Sequence, residues 1–201
     1  MSKLLLCCVM LVLAVQAFAE ETLFSGNWIN DGFGGPVVKV TQLNNETTAL
    51  MGGRGGWIIN HKFLVGGGGY GTVSSVPVPM ATIHDLPVEM HFGYGGFEFE
   101  YVESSADLVH YSLYCLIGAG TVEFTEDDGR KFNDSTDNRY SDKDEVFVLE
   151  PAVNGTMNVT SFFRISAGLS YRLVRGLDMS GIDNSDLSGP AAQVTLRFGS
   201  F

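Results

Sequence analysis

The sequence predicts an all-β chain that closes into an antiparallel up-and-down transmembrane barrel of about eight strands. Three observations carry that expectation. Apolar and polar residues alternate with a period of two along the chain, and no stretch keeps a convincing 3.6-residue apolar period. Short turns alternate with long polar connections. The one long apolar run lies at the start and reads as an export signal.

That run has Lys3 as its charged start, Leu4 to Val15 as an apolar stretch, and Ala17-Phe18-Ala19 as an A-x-A cleavage site. It is shorter than the roughly 20 residues a spanning helix needs. Residues 1–19 are therefore expected to leave as a signal peptide, and residues 20–201 to form a single barrel domain. Cys7 and Cys8 would leave with the signal. Cys115 is then the only mature cysteine, so no disulfide compensates for a thin core.

Strands are predicted over Gly35 to Leu43, Thr48 to Ile59, Lys62 to Val73, Val88 to Val102, Leu108 to Phe124, Glu145 to Val153, Ser161 to Leu173 and Ala191 to Phe201. The seventh is the clearest: Phe163, Ile165, Ala167, Leu169, Tyr171 and Leu173 alternate with Arg164, Ser166, Gly168, Ser170 and Arg172. In the eighth, Ala192, Val194, Leu196 and Phe198 alternate with Gln193, Thr195 and Arg197. The fourth switches parity between Met90, Phe92, Tyr94 and Phe97, Phe99, Tyr101. A bulge at Gly95-Gly96 would restore one oily face.

The connections Asn60-His61, Glu103 to Asp107 and Asn154 to Thr160 are short. Ser74 to Pro87, Thr125 to Asp144 and Val174 to Pro190 are long, and of the loops on that side only Asn44 to Thr47 is short. Short turns on one side and long loops on the other are the layout of outer-membrane barrels.

Alternation does not say which face points inward; size and charge decide it. An interior of about eight strands is only just wide enough for side chains to fill. It would be overpacked by Trp57, Phe92, Tyr94, Phe99, Tyr101, Tyr111, Phe147, Phe163, Tyr171 and Phe198 together. The oily face, with Phe163, Ile165, Leu169, Tyr171, Val194, Leu196 and Phe198 as its clearest members, is therefore assigned to lipid. The polar face lines the lumen, where Arg54, Glu98, Glu100, Glu150, Arg164, Arg172 and Arg197 would neutralise one another. Gly52, Gly56, Gly66 and Gly68 share the parity of Arg54. They either make room for its guanidinium or permit sheet curvature.

The pattern resembles the eight-stranded outer-membrane barrels of the OmpX/OmpA-like superfamily over essentially the whole mature chain. The signal segment, FRISAGLSYRL at Phe163 to Leu173 and the closing strand AAQVTLRFGSF carry the resemblance. It implies a location in the outer membrane of a Gram-negative bacterium, contact with outer-membrane lipid and lipopolysaccharide, and a monomer. It also implies a terminal aromatic read by the outer-membrane insertion machinery. Phe201 ends the chain but is out of phase with the oily face that ends on Phe198. Either Phe198 takes that part and Gly199 to Phe201 trails, or a kink at Gly199 resets the parity.

A net charge of -11 and the absence of a basic stripe exclude nucleic acid as a partner. Gly66 to Gly71 lacks the βαβ context of a nucleotide loop, and His61, His84, His91 and His110 lack metal-ligand spacing. There is no G-x-S-x-G, so no catalytic residue is nominated. No cofactor is expected. Asp134, Asn138, Asp142 and Glu145 fall on the spacing of a calcium loop, but Arg139 stands where glycine is needed, and a solvated outer loop is the favoured reading.

The leading expectation is a small structural or surface-binding barrel that is not a general diffusion pore. A soluble periplasmic lipocalin-like carrier of a hydrophobic ligand and an outer-membrane envelope enzyme are the rivals.

Overall fold

The computed structural model describes residues 30–83, 86–126 and 141–201. The expected signal segment 1–19 lies outside them, as does most of the predicted Thr125 to Asp144 loop. The described strands are β1 (Asn30–Leu43), β2 (Glu46–Ile59), β3 (Phe63–Thr72), β4 (Val76–Ile83), β5 (Leu86–Glu103), β6 (Val109–Glu126), β7 (Ser141–Asn158), β8 (Phe163–Arg175) and β9 (Gly189–Ser200). All pair antiparallel in the order β3-β2-β1-β9-β8-β7-β6-β5-β4, and β3 also pairs with β5, closing the sheet on itself. The wall is eight strands around, because β4 continues β3 along the same partner. Gly71 faces Gly93 and Val76 faces Met90, so four residues (72–75) on one side lie opposite two (91–92) on the other, which marks an irregularity between them.

The tight turns are set by their residues. Asn44 and Asn45 both take positive φ (49° and 63°), as do Asn60 and His61 (53° and 54°). Such two-residue turns match the twist of the flanking strands, and asparagine tolerates that backbone region.

Four sequence expectations are corrected. First, β5 carries no bulge at Gly95-Gly96: its register with β6 runs unbroken from Val88↔Glu126 to Glu103↔Tyr111. Met90, Phe92 and Tyr94 therefore point inward and are buried, while Phe97 and Phe99 point outward. The parity switch is real because the surroundings change. β5, β6 and β7 are each 18 residues long, against the roughly 9–11 that cross a bilayer. In the half next to the short turns, oily residues face out. In the other half, Glu89, His91, Thr121, Lys143 and Glu145 face out, while Val88, Phe92, Val122, Phe124, Val146 and Val148 form a core. The wall continues past the membrane and there takes the inside-outside sense of a soluble barrel. Gly120 makes this possible, since a Cβ there would lie 2.9 Å from Tyr94 and 3.2 Å from Phe92.

Second, the predicted long loop Ser74 to Pro87 is largely strand, as β4 pairs with the start of β5. Third, Val174 to Pro190 does not reach outward. After β8 it carries a single helical turn, α1 (Asn184–Leu187), that seats Leu187 and Ile182 in the barrel mouth with Leu177 and Met179 against them. The sixth connection is also shorter than expected, since β7 reaches Asn158.

The glycines separate into two kinds. A Cβ on Gly56 would lie 2.6 Å from the Gly66 Cα across the strand pair, whereas one on Gly34 meets nothing within 4 Å. Gly56→Ala is expected to destabilise the barrel by about 1–3 kcal/mol and Gly34→Ala to leave it unchanged. Urea-unfolding midpoints of the two variants in detergent check this.

Candidate functional site

The inner face of the membrane section is built around three carboxylates. Glu98 and Glu100 sit on β5, two residues apart and therefore on one face, and Glu150 projects from β7. Arg54 on β2 reaches both of the first pair, with Nε 2.7 Å from Glu98 and Nη2 2.9 Å from Glu100. Arg197 on β9 approaches Glu100 at 2.6 Å, and the Ser112 hydroxyl also donates to it. Tyr70 and Tyr114 donate their hydroxyls to Glu98 at 2.7 and 3.0 Å.

The second node is Glu150. It accepts from Lys39 Nζ at 2.8 Å, from Tyr94 at 2.6 Å and from Ser170 at 2.6 Å. Lys39 Nζ also lies 3.6 Å from the centre of the Tyr70 ring, whose hydroxyl serves Glu98, so one aromatic couples the two nodes. Charges removed from water this far are tolerated only when paired and hydrogen-bonded. Here each carboxylate has at least three partners. A Cβ on Gly68 would collide with the Glu98 carboxylate, while one on Gly52, Gly56 or Gly66 would collide with backbone of the adjacent strand. Gly68 thus gives room to the network, and the other three allow close strand approach.

Six of the seven predicted lumen residues, Arg54, Glu98, Glu100, Glu150, Arg172 and Arg197, are buried inside. Arg172 joins no carboxylate among the described residues. Its Nε donates to the Leu187 carbonyl at 2.8 Å, and it lies over Phe92, which ties α1 to the wall. The seventh, Arg164, sits half-exposed at the short-turn rim against the Phe201 ring, 4.0 Å from its centre. Sequence reasoning missed Lys39 and the inward tyrosines. Tyr70 shares the parity of Gly66 and Gly68, which was a usable signal; Lys39 alternates with Val38 and Val40, so its parity was visible as well.

On the outside, Leu169 is 70% exposed and Trp57 71%. Tyr171, Val194, Leu196 and Phe198 are also exposed, and Phe163 and Ile165 lie partly so. Phe163 stacks on Phe198 at 4.9 Å, and Phe63 meets Tyr101 at 5.4 Å near the short turns. Parity holds through Ser200, so Phe198 faces outward while Phe201 turns in against Phe33, Ile58 and Leu64. Asp142 and Glu145 of the calcium spacing lie in β7, opposite Phe124 and Thr121, and Asp134 and Asn138 fall outside the described residues. No cluster of three metal-ligating side chains occurs among the described residues.

A closed wall with ion pairs sealed inside and an oily belt outside is the construction of a membrane-spanning barrel of the small outer-membrane type. No protein family and no curated protein matches the sequence. Among solved structures, the fold is similar to the crystal structure of Ail, the attachment invasion locus protein of Yersinia pestis. The two share 14% identity over 85% of this chain and 96% of that one, with a TM-score of 0.45. Neisserial surface protein A is similar at 10% identity over 85% and 94% of the two chains, with a TM-score of 0.49. The outer membrane protease OmpT of Escherichia coli is similar at 10% identity over 89% and 97%, with a TM-score of 0.27.

Removing one partner of a buried pair leaves the other charge stranded. Glu150→Ala is expected to cost about 3–5 kcal/mol. The double variant Lys39→Met/Glu150→Leu is expected to regain most of that loss. Urea titrations of both proteins folded in lipid vesicles measure the difference.

Proposed function

We propose that the chain is a small barrel of the bacterial outer membrane with a structural or surface-binding role, and neither a general diffusion pore nor an enzyme. The observation that carries this reading is a lumen filled along its length by its own side chains. Leu187 and Ile182 stop the wide mouth, the two carboxylate nodes occupy the middle, and Phe33, Ile58, Leu64 and Phe201 close the short-turn end. About eight strands leave no aqueous channel even before such packing.

The same filling argues against a lipocalin-like carrier, whose ligand would need an empty apolar interior. One concavity of about 820 Å³ lies instead on the outer wall, floored by glycines such as Gly34 and Gly67 and walled by Trp57, Val65, Phe97 and Phe198, a surface suited to lipid chains.

Contact with partners falls to the wall beyond the membrane and its rim. There Glu46, Glu89, Asp142, Glu145, Asp178 and Asp183 greatly outweigh Lys143 and Arg175 among the described residues. Such a rim favours cationic partners, or lipopolysaccharide phosphates joined to it through divalent cations.

Fractionation of the envelope is expected to leave the protein with the outer membrane, extractable by detergent and not by osmotic shock. Its gel mobility is expected to change on boiling. In planar bilayers no stable conductance is expected; release into buffer or steady open-channel current would overturn the reading. Leu169→Arg, on the lipid face, is expected to cost about 2–4 kcal/mol near the bilayer midplane, read from folding equilibria in vesicles.

A further inference from the structure

We infer that the short-turn rim of the barrel holds a binding site for a small oxyanion of phosphate type, centred on Arg164 and Arg197. The two arginines are direct cross-strand partners in the β8–β9 register, an arrangement in which like charges repel. Arg197 is 97% buried and spends its Nη2 on Glu100. Among the described residues its Nε has no partner, nor does the buried Nε of Arg164. Arg164 forms no ion pair among the described residues; its guanidinium carbon lies 4.0 Å from the centre of the Phe201 ring.

Both arginines line one crevice at this rim, together with His61, Ser105 and His110. Its enclosed part is about 10 Å³, room for one oxygen atom, and it opens to solvent at its mouth. Of the other acids at this rim, Asp31 contacts His61 at 3.3 Å, Glu103 accepts from the Tyr101 hydroxyl, and Asp107 lies in the turn between β5 and β6. Glu100 is already shared by Arg54, Arg197 and Ser112. The two arginine Nε groups are therefore donors that no carboxylate of the described rim reaches. Arginine forks match phosphate oxygens geometrically and hold them through charge-assisted bonds. The enclosed part holds one oxygen at most, so the anion would sit at the mouth with one oxygen directed at the two arginines. Such a group is available either as free phosphate or as a phospholipid headgroup.

The test uses the full folded chain in a neutral detergent, with sodium phosphate titrated against sodium chloride at constant ionic strength. The expected result is a saturable rise in unfolding temperature with phosphate, as follows for any ligand of the native state alone. Arg164→Gln is expected to weaken that response about tenfold or more. Arg164→Lys, which keeps the charge but not the fork, is expected to weaken it less. Lys143→Gln, at the opposite end, is expected to leave it unchanged.

In a parallel arm without phosphate, vesicles of phosphatidylcholine with and without phosphatidylglycerol are compared. Stabilisation by phosphatidylglycerol that is lost in Arg164→Gln identifies the headgroup as the source, and stabilisation by phosphate alone identifies the free ion. The inference is overturned if neither anion source stabilises the protein, if chloride does as well as phosphate, or if the parent and both Arg164 variants respond alike. None of these outcomes depends on whether the outer rim binds a partner.

Discussion

The constraint on which this molecule depends is that hydrocarbon offers a peptide group no hydrogen bond. A sheet in lipid must therefore have no edge. The pairing of β3 with β5 removes the last one, running without interruption from Phe63↔Tyr101 to Gly71↔Gly93. Once the wall is closed, its two faces look onto opposite media, and the side chains follow. The oily set faces the membrane because it can do so without cost, and the ionisable set turns inward because a narrow closed tube supplies partners on every side.

The wall does not keep one sense along its length. Where β5, β6 and β7 leave the membrane, the apolar residues cross to the inner face and the charged ones to the outer, so a short soluble barrel sits on top of a membrane barrel. The two sections share strands and are welded by Arg172, whose guanidinium holds the Leu187 carbonyl on one side and lies over Phe92 on the other. The mouth is thereby filled by the chain's own returning segment, and the rim around it carries the exposed carboxylates.

How much of this was legible in the sequence follows the same division. β8 and β9 could be read residue by residue, because both lie within the membrane section and keep a single parity from Phe163 and from Ala191 onward. β5 could not, because its alternation reverses at the membrane boundary, and a one-residue bulge produces the same pattern in a string of letters. The deciding fact is the unbroken register with β6, which is a tertiary property. Most of the inward charges were recoverable from parity alone. Lys39 was not picked out, since a lone cation among valines looks like a solvated position until Glu150 is seen 2.8 Å away. The terminal Phe201 was legible as out of phase but not as a stopper, since Phe33 and Arg164, which it contacts, are brought beside it only by the pairing of β9 with β1 and β8.

The coupling of the carboxylate nodes also bears on how such a chain can assemble. Lys39 and Glu150 are 111 residues apart in sequence, and Glu100 and Arg197 are 97 apart. No hairpin contains both members of either pair; a sheet lacking its first strand has no Lys39 for Glu150, and one lacking its last strand has no Arg197 for Glu100. An intermediate that entered the bilayer strand by strand would carry bare charges into hydrocarbon, so the order of events is constrained: most of the cylinder must come together before its interior leaves water. Long-range contacts of this kind make folding slow and highly cooperative, and they tie insertion to the completion of the ring rather than to the oiliness of any single hairpin.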